Sequence, residues 1–70
     1  MVAARHGTPS VFTEFFRYLV REGKTYGTAS EYVREVKKYL RGIRKDTDRF
    51  KAAVNRWKEF CGEKGYFNLL

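Results

Sequence analysis

Apolar positions along the chain fall into three helical periods, each closed by a glycine. Phe12, Phe15, Phe16, Leu19 and Val20 recur at steps that place them on one face of a helix. Ahead of them Thr8-Pro9-Ser10 offers a capping hydroxyl and a proline suited to the first turn, and Gly23 marks the stop. In the second run Ala29, Tyr32, Val33, Val36, Leu40 and Ile43 form the buried stripe. Thr28 and Glu31 match the capping box that predicts its start, and Gly42 predicts its end. The third run begins at Asp46-Thr47-Asp48, whose carboxylates suit a helix N-terminus. It continues through Phe50, Ala53, Val54, Trp57 and Phe60 or Cys61, with Gly62 or Gly65 as the stop. No stretch alternates as a strand would. Short connections over 23–27 and 42–46 favour helices packed against their sequence neighbours. The pattern predicts an all-α bundle of three helices over 10–70 behind a flexible 1–9. The apolar tail Gly65-Tyr66-Phe67-Asn68-Leu69-Leu70 either packs on the bundle or leads into a further segment.

Seventy residues hold one domain, and a chain of this size buries only about 60% of its unfolded surface. Six Phe, five Tyr and one Trp compensate, because each buries far more area than an aliphatic side chain. A single cysteine, Cys61, excludes an internal disulfide and a four-thiolate zinc site, and fits a reducing compartment. No apolar run approaches the roughly 18 residues of a membrane span, and the N-terminus lacks a signal-peptide core. A cytoplasmic protein without membrane contact is expected. Gln is absent and Asn occurs twice, a depletion of heat-labile residues that matches a thermophilic source.

Candidate chemistry is sparse. His6 has no carboxylate or thiol neighbour to orient it, and Cys61 lies on an apolar edge, where it reads as a small core residue. Glu31 and Glu35, one turn apart, sit among cations at helical spacing and read as ion-pair partners. The glycines read as stops and turns; none belongs to a phosphate-binding loop. Catalysis by this chain alone, a metal or a cofactor is therefore not expected.

Net charge is the strongest signal in the composition. Fifteen Lys and Arg against eight Asp and Glu give +7, with a pI near 9.9. That excess is the electrostatic footprint of a nucleic-acid binder. Helical geometry sets Arg34, Lys38 and Arg41 opposite the second apolar stripe, with Lys37 at its flank. On the third helix Lys51, Asn55 and Lys58 form one ridge and Arg49 with Arg56 another, while Arg44 and Lys45 bridge the two helices. Over 34–45 six cations face one acid, Glu35, whereas a merely solvated face mixes its signs. Asn55 between two lysines could read adenine while the lysines hold phosphates. Tyr18, Tyr26 and Tyr66 are the tyrosines free of the core stripes; packing suits them better than base stacking.

The stretch FTEFFRYLVREGKTYGTASEYVREVKKYL, with FKAAVNRWKEFCGEKGYFNLL after it, resembles the N-terminal core-binding domain of tyrosine recombinases of the phage-integrase type. The resemblance covers most of residues 12–69 and rests largely on hydrophobic spacing. It implies a SAM-like fold of three or four helices that clamps double-stranded DNA while a separate C-terminal domain, or other protomers on the DNA, does the cutting and rejoining. Thr28 would then start a DNA-facing helix, Arg34, Lys37, Lys38 and Arg41 would contact its backbone, and Lys51, Asn55 and Lys58 would lie on the other DNA-facing helix. In two respects the chain departs from that family. Ile43 to Asp46 leaves no room for the short third helix, and Asn55 stands where the last helix often has Arg. The competing expectation is a protein-interaction module, a homodimer that buries Tyr66, Phe67, Leu69 and Leu70.

Overall fold

Among the described residues each α-helix is opened by a hydroxyl and closed by a left-handed glycine. The computed structural model describes residues 10–70; the expectations for Thr8, Pro9, His6 and the 1–9 arm fall outside them. Ser10, Thr25 and Thr47 are the N-caps of α1 (Val11–Arg21), α2 (Tyr26–Leu40) and α3 (Asp48–Lys64). Each side-chain oxygen accepts the amide three residues on, of Thr13, Thr28 and Phe50, at 3.2 Å. At the other ends Gly23, Gly42 and Gly65 take φ of 101°, 97° and 78°. The residue after each glycine donates back to the last turn: Lys24 to the Leu19 carbonyl at 3.1 Å, Ile43 to Lys38 at 3.0 Å, Tyr66 to Cys61 at 2.8 Å. This is the Schellman closure, and only glycine enters it without strain.

Thr28 does not start α2; the helix begins two residues earlier, behind Thr25, and Thr28 lies in its first turn. Both threonines precede a polar residue three positions on, so spacing alone could not separate them, and Glu31 turns to Arg49 instead of capping. Leu40 and Ile43 are each 41% exposed, outside the core. α2, with 15 residues, outruns the 11-residue α1, so the stripe continues beyond the neighbour that would cover it. Gly62 lies inside α3, and Gly65 ends it.

Among the described residues the architecture is three helices and no strand, an all-α bundle. The core is aromatic. Trp57, wholly buried, meets Phe15 edge-on at 5.2 Å and Phe12 at 5.9 Å, and Phe60 joins Phe15 and Tyr18, each at 5.3 Å. Phe60 and Cys61 are both fully buried, as are Ala29, Val36 and Ala53, where small side chains let the helices approach. The tail packs back on the bundle. A 3-10 turn, Phe67–Leu69, is held by the Trp57 indole N–H donating to the Leu69 carbonyl at 3.0 Å. The Tyr66 hydroxyl donates to Glu14 at 2.8 Å, tying the tail to α1.

Candidate nucleic-acid interface

α2 and α3 form the most extensive helix pair, and carboxylates lock their shared edge. Glu31 on α2 pairs with Arg49 on α3, and Glu35 lies 3.8 Å from both Lys38 and Lys45. Lys45 comes from the loop between the helices, so two ammonium groups converge on one carboxylate. Contact with Lys45 pulls the Lys38 pKa below its ordinary value, against the opposing pull of Glu35. At the start of α3 Lys51 pairs with Asp46 at 3.1 Å. Further along, Arg56 reaches Glu59 at 3.1 Å and Glu22 at 3.9 Å.

These pairs divide the cations picked out from sequence. Lys38, Lys45 and Lys51 have carboxylate partners. Arg44 does not bridge the helices. Its guanidinium donates to the carbonyls of Tyr39 at 3.1 Å and Ile43 at 3.0 Å and sits 4.5 Å from the Tyr39 ring centre, so it closes the C-terminus of α2. Arg34, Lys37, Arg41 and Lys58 are exposed and have no carboxylate partner among the described residues. The first three follow one another along the outer side of α2, with Lys37 5.2 Å from the Phe12 ring centre. Asn55 is exposed beside Lys58 on α3. Arg49 and Arg56 bind acids of α2 and of the α1–α2 turn, so the Lys51, Asn55 and Lys58 ridge occupies the opposite flank of α3.

Pattern reasoning missed Arg17, Arg21, Lys24 and Lys64, which likewise have no acid partner among the described residues. Arg17 lies three residues from Glu14, a spacing that suggests a helical pair, but Glu14 accepts from Tyr66 instead, a partner 52 positions away. Each carboxylate thus has an intramolecular partner. Glu14 and Glu63 accept from tyrosines, Glu22, Glu31, Glu35, Asp46 and Glu59 pair with cations, and Asp48 faces the positive start of α3. Glu22, Asp46, Asp48, Glu59 and Glu63 stay exposed, but the surface balance is positive.

Of the three tyrosines considered for stacking, Tyr18 is buried with its hydroxyl donating to Glu63 at 3.4 Å, and Tyr66 packs against Phe60. Tyr26 is 71% exposed, its ring edge on Phe16. Burial pushes the Cys61 thiol pKa up, which keeps it protonated and weakly nucleophilic. The described residues hold no cluster of His, Cys, Asp and Glu able to bind a metal, and no helix among them is long and apolar enough to cross a membrane. In the tail Tyr66 and Leu69 pack inward, leaving Phe67 and Leu70 as its exposed apolar side chains. No protein-family model, curated protein or solved structure matches the chain.

Proposed function

We propose that this chain is a helical module that grips double-stranded DNA through phosphate contacts and performs no catalysis of its own, as the core-binding domain of a tyrosine recombinase does. In that role it positions DNA for a catalytic domain or for other protomers on the same duplex, in the setting of a mobile element or virus. The observation that carries the reading is the row Arg34, Lys37 and Arg41 on α2, exposed and without carboxylate partners while the acids are occupied elsewhere. Such side chains meet phosphates at little cost, because no ion pair has to break first. Lys58 and Asn55 supply a second contact line from α3, where the amide of Asn55 has the geometry to read a base edge.

The test is fluorescence anisotropy with a labelled duplex over a range of salt. Four phosphate contacts give a slope of log K against log salt of about −3.6, at roughly −0.9 per contact. Arg34→Glu, Arg41→Glu and Lys58→Glu together should remove binding while the circular dichroism spectrum stays helical. Unchanged affinity in that variant, or none in the parent at low salt, would refute the assignment.

A further inference from the structure

α1 and α2 run antiparallel, since Phe12 at the start of α1 lies beside Lys37 near the end of α2, and Phe16 meets Tyr26 at the other end. Along them lie three shallow depressions of about 300, 300 and 290 Å³, the first sharing Phe12 and Lys37 with the second and Phe16 with the third. The floor is apolar: Phe12, Phe16, Val20 and Val33 are only half-buried, and Tyr26 and Leu40 close the two ends. The rim is cationic. Arg17 and Arg21 stand on the α1 wall at one end, Lys37 and Arg41 on the α2 wall at the other, and no carboxylate lines any of the three depressions.

We propose that this groove docks an acidic amphipathic helix of a protein partner. Aliphatic and edge-on aromatic surface between two helices is what an apolar helical stripe packs into. The diagonal placement of the arginines and of Lys37 with Arg41 asks for acids on opposite flanks of the incoming helix, one pair toward each end. The 11 residues of α1 set its length at about 16 Å, or three turns. A second copy of this chain fits poorly, because its acids are engaged within their own fold and its surplus charge is positive. Stacked bases fit poorly too: the Phe12 ring is flanked by Trp57 and by the Lys37 ammonium, so it offers no free face. The groove shares Lys37 and Arg41 with the row proposed to meet phosphates but includes neither Arg34 nor Lys58, so the proposal stands without DNA binding.

The probe is a fluorescein-labelled helical peptide of about four turns, with leucines at i, i+3, i+4 and i+7 and glutamates on both flanks. Titrated into the isotopically labelled chain, it should shift amides of α1 and α2 around the groove, and a scrambled peptide of the same composition should bind at least about tenfold more weakly. Arg17→Glu with Arg21→Glu should weaken the peptide at least about tenfold, while Arg34→Glu with Lys58→Glu leaves it unchanged. Leu40→Ser, at an exposed site, gives an independent apolar control should the arginine variant lose its fold. Equal binding of the scramble would reduce the effect to net charge and overturn the proposal. So would shifts confined to α3 or the tail, a doubled sedimentation mass of the chain alone accompanied by the same shifts, or tighter occupancy of the groove by an oligothymidine.

Discussion

Thr25 and Thr28 stand three residues apart, and their hydroxyls lie 3.1 Å from each other, yet only Thr25 has the extended backbone of a cap, with φ −71° and ψ 162°. Replacing Thr25 by alanine removes an acceptor from an amide of the first turn and should cost about 1 kcal/mol. Thr28→Ala leaves that bond in place, and alanine's better helix propensity offsets the lost hydroxyl contact, so stability should stay within about 0.5 kcal/mol of the parent. Urea midpoints of the two variants decide the point, and a larger loss for Thr28→Ala would put the cap back at the sequence-predicted position. The tyrosines make a second prediction at this scale. Burial, then the nearby Glu63, Glu22 and Glu59, raise the Tyr18 pKa above 10.0, and the hydrogen bond to Glu14 raises that of Tyr66. In the unfolded chain both ionise near the ordinary value, so their contribution to stability is complete below about pH 10 and lost as pH rises through the higher folded values. Lys38, lowered by Lys45, works in the opposite direction, since a folded-state penalty on its charged form is relieved as pH rises. Midpoints measured between pH 8 and 11 should therefore fall in the parent and fall less in Tyr18→Phe and Tyr66→Phe. An equal fall in all three would remove the tyrosines from the account.

At the scale of elements, much of this fold was legible in the sequence because helix punctuation is local chemistry. Gly23 and Gly42 stop helices as their spacing predicts, and of Gly62 and Gly65 it is Gly65 that stops the third, since a left-handed terminal residue is set by the backbone of one turn. Exposure at Leu40 and Ile43 was not legible, because periodicity describes one helix and burial depends on where its neighbour ends. For the same reason six cations over 34–45 could be counted but not sorted: Glu35 gathers Lys38 and Lys45, and backbone carbonyls gather Arg44. The tail was equally undetermined, for its anchors, the Trp57 to Leu69 and Tyr66 to Glu14 bonds, join residues far apart in the sequence. Trp57→Ala should cost about 3–5 kcal/mol, roughly all that a core of this size supplies, and leave the chain largely unfolded. Trp57→Phe keeps an aromatic ring in the core but leaves the Leu69 carbonyl without its donor. Exchange of the Leu69 amide, bonded to Tyr66 at 3.0 Å, should then quicken at least about tenfold while α2 amides keep their protection. Uniform acceleration across the chain would mean that the tail and the bundle open together.

For the whole molecule, the decisive quantity is how much positive charge faces outward, and Glu35 regulates it. One oxygen of this carboxylate is sealed from solvent without a hydrogen bond, and its two lysines stand at 3.8 Å, a distance of weak ion pairing. Glu35→Gln keeps the shape, takes the net charge from +7 to +8, and releases two ammonium groups on the side of α2 next to Arg34 and Arg41. A salt bridge worth little leaves Tm within about 5 °C of the parent. If phosphates are the ligand, the freed lysines join them, so duplex affinity at low salt rises and the slope of log K against log salt steepens by about 1 to 2. The variant therefore separates a fold that merely tolerates its charge from one that uses it. Anisotropy titrations of parent and variant across the same salt series read the outcome. A steeper slope places Lys38 and Lys45 at the DNA, whereas tighter binding with an unchanged slope means that losing the carboxylate reduced general repulsion and that the contacts lie with Arg34, Lys37, Arg41 and Lys58 alone.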